Sequence, residues 1–199
     1  MNNKTLGTLA LIGAPFLLIG FKAEQHYTFL ANSWFTGAWG LVYITAWLCS
    51  ILVLHRLGAA GKSRFGRVLL PVVMGMLGLA NVSNLYKLLL PDYESAYFYA
   101  FDAFWPLSNL AMVVVGIAVI RAKVLPGWRR YVPLAVGLWF PLTMLGVVLV
   151  GRTSPYLFYV PYYSAIAWTL LALAVRGNNY ELRMTNYAVQ AQATAHTAR

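Results

Sequence analysis

Long apolar runs separated by short polar segments dominate this chain. They cover residues 5–21, 34–54, 68–90, 99–120, 132–150 and 157–175. Each run is close to the ~20 residues a helix needs to cross a hydrocarbon core. None alternates polar and apolar residues with a period of two, and an open sheet could not satisfy its backbone in lipid. The pattern predicts an all-α integral membrane protein, a bundle of six transmembrane helices spanning residues 1–175. Residues 176–199 follow as a polar, small-residue-rich tail that is too short to be a domain and is expected to fray. Pro15 and Pro141 fall inside runs and should kink their helices, whereas Pro133 and Pro161 fall near helix starts, where proline costs little. The first run, behind Lys4, also has the outline of a signal peptide, but Lys22, Ala23, Glu24 and Gln25 after it form no small-x-small cleavage site. A retained first span is therefore expected.

Composition supports the same class. Of 199 residues, 60% are hydrophobic and 10% charged, against about 25% charged in a typical soluble domain. The net charge of +10 brings nucleic acid to mind, but the placement of the charges argues otherwise. Lys4 precedes the first run; Arg56, Lys62, Arg64 and Arg67 separate the second from the third; Arg121, Lys123, Arg129 and Arg130 separate the fourth from the fifth; Arg176, Arg183 and Arg199 lie in the tail. Basic residues thus gather on one side of successive spans, the bias that orients a membrane bundle. It puts both termini and the basic loops in the cytoplasm and makes anionic lipid headgroups the expected contacts. Residues 128–133, WRRYVP, have the character of a bacterial membrane protein, so the bacterial inner (plasma) membrane is the expected location. No basic segment comes with a nucleic-acid-binding module, and no nucleic-acid partner is expected.

The opposite side is acidic and aromatic. Glu24, Asp92, Glu94 and Asp102 fall there, among Tyr27, Trp34, Tyr86, Tyr93, Trp105, Tyr156 and Tyr163. An interfacial belt explains the aromatics; an aromatic-walled mouth for a flat or amphipathic ligand explains them as well.

Polar residues inside spans are costly and usually face the bundle interior. The third span carries Asn81, Asn84 and Lys87 on one broad face, and the fourth carries Asp102, Trp105 and Asn109 on one face. In an antiparallel pair, residues at equal depth have position numbers of nearly constant sum. That register sets Lys87 level with Asp102, Asn84 with Trp105, and Asn81 with Asn109. The expected result is a polar seam between the third and fourth helices, with an ion pair near the outer surface and two amides near mid-depth. Such a seam is either interhelical glue or the lining of a ligand pocket open to the outer side.

Other chemistry is sparse. Cys49 is the single cysteine, so an intramolecular disulfide is impossible. His26 and His55 belong to opposite membrane faces, His196 lies in the tail, and neither a metal-binding spacing nor a phosphate loop occurs. The sequence names no cofactor. Three functional classes remain: a protein that binds or transports a small or amphipathic molecule, a non-catalytic accessory subunit, and a lipid-active enzyme using Glu24, His26 and Asp102. The first accounts for most features together. Membrane lipids, a small-molecule or lipid ligand, and a protein partner or second copy are the expected partners.

Overall fold

Six helical segments in the computed structural model are long and apolar enough to cross a membrane: Asn3–His26, Trp34–Arg56, Arg64–Leu89, Ala96–Ala122, Gly127–Val150 and Leu157–Arg176. The structure describes residues 1–92, 95–151 and 154–176, apart from the Tyr156 side chain, and the described residues contain no strand. Tyr93, Glu94 and the tail beyond Arg176 lie outside the described residues.

Among the described residues, eight α-helices make up most of the six spans, the last two of which begin with short 3-10 turns. The first span is α1 (Asn3–Gly13) and α2 (Phe16–His26); the second is α3 (Trp34–Arg56); the third is α4 (Arg64–Leu89). The fourth is α5 (Ala96–Asp102) and α6 (Phe104–Ala122); α7 (Val132–Val150) and α8 (Val160–Arg176) complete the set. Both interruptions trace to proline. Pro15 separates α1 from α2, as its position in the first run predicts. Pro106 has no N–H to offer the carbonyl of Asp102, four residues back, and the fourth span breaks between Asp102 and Phe104. Pro141 lies within α7, which continues through it.

The spans form a closed ring. Each packs on the next in chain order, and the ring closes where α8 meets α1. α3 is the most enclosed, touching α1, α2, α4 and α8. Some helix contacts are so close that a side chain would not fit: a Cβ on Gly37 of α3 would strike the α4 backbone at Asn84 and Leu88, and one on Gly137 of α7 would strike the α6 backbone at Met112 and Val113. Small residues commonly allow such approaches between membrane helices, where dispersion and hydrogen bonding drive association.

The ring's interior is filled by aromatic side chains from four spans. Trp47 and Trp168 stand edge to face with centroids 5.1 Å apart, Tyr43 is 5.6 Å from Trp168, Trp139 is 6.1 Å from Trp168, and Trp105 is 5.5 Å from Trp139. The outward faces are apolar too. On α6, Leu107, Leu110, Val114 and Ile117 form an exposed stripe at helical spacing. Water would penalise so continuous an apolar surface; lipid does not.

The two ends of the bundle differ in charge. Arg56 at the end of α3 donates to the Met1 carbonyl at 3.0 Å, Arg176 lies against Gly7, and the loop at Gly61 reaches Ala122 beside Arg121. The basic residues of both loops therefore share one end of the bundle, and Glu24, Asp92 and Asp102 belong to the other.

Candidate functional site

A cavity of about 220 Å³ opens near the acidic end, between α2, α3, α4 and the break that separates α5 from α6. α2 brings Phe21 and Glu24 to it, α3 brings Thr36, Trp39 and Tyr43, α4 brings Ser83 and Asn84, and the fourth span brings Asp102 and Trp105. Helical spacing explains the α3 contribution, because steps of three and four put Thr36, Trp39, Gly40 and Tyr43 on one face.

Glu24 is held firmly. The Thr36 hydroxyl and the Trp39 indole N–H both donate to its Oε1, at 2.6 Å and 2.9 Å. Neither bond uses Oε2. Asp102 is held loosely: its Oδ1 is 3.5 Å from the Ser83 hydroxyl, at the outer limit of a hydrogen bond. Ser83 has one hydroxyl proton, and the Ala80 carbonyl at 2.7 Å is the better acceptor.

Two buried polar atoms of the wall face each other: the Trp105 indole N–H is directed at the hydroxyl of Tyr43, a side chain only 1% exposed, although the pair falls short of full hydrogen-bond geometry. Asn109, fully buried one turn deeper, donates to the Trp105 carbonyl at 3.0 Å but leaves its own Oδ1 unpaired. Buried polar groups are normally paired, so the Asn109 Oδ1 calls for a water or a ligand atom.

The structure rearranges the seam. Asn84, Asp102 and Trp105 meet at the cavity. Asn81 instead turns toward α3, donating to the Thr45 hydroxyl at 3.1 Å and accepting from Asn84 at 3.3 Å. Asn109 bonds within its own helix. Lys87 is 4% exposed; its ammonium donates to the Pro91 carbonyl at 2.9 Å and stands 5.6 Å from the Phe98 ring centroid. Lys87 and Asp102 thus have different partners, and the polar face of α4 is shared between α3 and the fourth span. Glycine is the cause: Gly37 and Gly40 let α4 approach α3 closely enough for Asn84 to pack on the α3 backbone.

Glu24, Thr36, Trp39, Tyr43 and Ser83 are cavity residues that the register of one helix pair did not single out, since two other elements, α2 and α3, supply all but Ser83. The face shared by Thr36, Trp39 and Tyr43 is the signal that was present. His26 does not join Glu24: it is exposed and packs edge-on against Tyr27, with centroids 4.5 Å apart. Among the described residues no group of three or more His, Cys, Asp or Glu could hold a metal ion.

A second cavity, of about 370 Å³, adjoins the first. Phe21 and Trp105 line both, and Trp139, Phe140, Met144 and Leu157 make the second largely apolar. Lys22 stands near its rim, 5.8 Å from the Phe158 ring centroid and 5.3 Å from that of Tyr162. Compared with known proteins, the chain matches no family, no curated protein and no solved structure.

Proposed function

We propose that this protein binds or transports a small amphipathic molecule, held in the cavity between Glu24 and Asp102 at the outer side of the bacterial inner membrane. The observation that carries this reading is the cavity itself: four spans converge on it and leave about 220 Å³ open among two carboxylates and the side chains of Phe21, Trp39, Tyr43 and Trp105. A seam serving only as glue would close that space with packed side chains. Small-molecule sites are typically apolar clefts with a few convergent polar groups, which describes this one. The basic end of the bundle supports a cytoplasmic placement of the loops and both termini, and in that orientation the cavity faces outward. Asn84, Asp102 and Trp105 are the ligand-contacting residues in this reading, whereas Asn81, Lys87 and Asn109 position the helices around them.

A non-catalytic accessory subunit is the competing reading, and mass spectrometry of protein extracted gently from its native membrane separates the two. A stoichiometric small molecule is expected in the wild type and in Asn81→Leu, and its loss is expected in Trp105→Ala. Folded protein that retains no molecule, or a molecule equally retained in Trp105→Ala, overturns the binding reading.

A further inference from the structure

The chemistry of the two adjoining cavities narrows the ligand class. We propose that the ligand is an amphipathic organic cation, an ammonium head seated between Glu24 and Asp102 with an apolar tail passing Phe21 and Trp105 into the second cavity. This rests on the binding reading above and goes further by assigning the charge and polarity of each half of the ligand.

The first cavity is lined by two carboxylates and by neither lysine nor arginine, in a chain whose net charge is +10. Low-dielectric walls focus the field of such a pair and concentrate counter-ions there. The nearby lysines are directed elsewhere: Lys22 lies by Gln25, Phe158 and Tyr162, and Lys87 by Pro91 and Phe98. Aromatic rings provide much of the remaining surface, Phe21 and Trp39 with centroids 5.6 Å apart, then Tyr43 and Trp105. Carboxylates among aromatic faces suit an organic ammonium, which gains both Coulomb attraction and cation–π contact. A divalent metal would want more oxygen or nitrogen ligands than two carboxylates provide. Asn84 and Thr36, also in the lining, give the head further polar contacts.

The second cavity fixes the orientation. Its apolar lining accepts a hydrocarbon or aryl tail, and Lys22 near its rim repels a cationic head. The head is therefore directed to the acidic cavity and the tail to the apolar one. Phe21 and Trp105, common to both, lie where the two parts of the ligand join.

The test uses full-length protein in nanodiscs of zwitterionic lipid, with intrinsic tryptophan fluorescence as the readout. Octyltrimethylammonium, neutral octyl glycerol and octyl sulfate are titrated below their aggregation thresholds. Saturable binding of the cation at least about tenfold tighter than of either other probe is expected. Glu24→Gln and Asp102→Asn should each weaken the cation by about tenfold and leave the neutral probe unchanged. Trp105→Ala should remove saturable binding of all three. Neutral or anionic probes binding as tightly as the cation would overturn the charge assignment; binding still lost in Trp105→Ala would then preserve the site. If no probe binds saturably, the cation assignment falls, and retention of a native molecule in the mass-spectrometric experiment decides separately whether the binding reading stands.

Discussion

Trp39 of α3 donates its indole N–H to Glu24 of α2 at 2.9 Å, a bond that joins two spans and holds one carboxylate at the cavity wall. Thr36, one turn earlier on α3, donates to the same oxygen at 2.6 Å. Hydrogen bonds to an ionised acceptor contribute more than neutral ones, and these two tie the end of the broken first span to its neighbour.

Removing the acceptor should expose that role. Glu24→Leu leaves two donors without a partner, and a loss of about 1–3 kcal/mol of stability is expected. Trp39→Phe should cost less in the Glu24→Leu background than in the wild type, because the bond it removes is already gone. Thermal unfolding of the two single variants and the double variant in one detergent measures this. Additive losses would show that the bond contributes nothing.

Gly40 makes a sharper test of the α3–α4 contact. An alanine Cβ there meets only the Asn84 side chain within the closest shell, and overpacking of this kind typically costs about 1–3 kcal/mol. Gly40→Ala should lower the unfolding temperature, and adding Asn84→Ala should restore part of the loss. Tolerance of Gly40→Ala alone would mean that the Asn84 side chain yields or that the helices stand farther apart.

The two amides of the seam, Asn81 and Asn109, should behave differently. Asn81 exchanges bonds with Thr45 and Asn84, so Asn81→Leu is expected to cost about 1–2 kcal/mol. Asn109 carries an unpaired buried oxygen, and losing that atom offsets the loss of its one bond to Trp105. Asn109→Leu is expected within about 1 kcal/mol of the wild type. A larger loss in Asn109→Leu would place a bound water or ligand atom on its Oδ1.

Lys87 and Asp102 are level in the register of the helix pair but have different partners in the structure. Their conservative variants, Lys87→Met and Asp102→Asn, should therefore be additive to within about 0.5 kcal/mol. A coupling above about 1 kcal/mol in the double variant would restore the direct pair that the register implies.

The six spans, the prolines at which the first is interrupted, and the gathering of basic residues between alternate runs follow from the sequence by itself. These features are local: length, hydropathy and proline chemistry act within one segment, and the lipid imposes the helix on each segment separately. Even the polar faces of α4 and the fourth span can be read from spacing, since side chains three and four apart share a face whatever the neighbour. Which neighbour that face meets is another matter. Asn81 and Asn84 turn to α3 because Gly37 and Gly40 admit α4 there, and Glu24 reaches the same cavity as Asp102 because the ring closes. Close approach and ring closure depend on the summed shapes of several helices, with no periodic trace in any one of them. The tertiary structure alone decided that the carboxylates of Glu24 and Asp102 and the aromatic faces of Phe21, Trp39, Tyr43 and Trp105 would share one cavity.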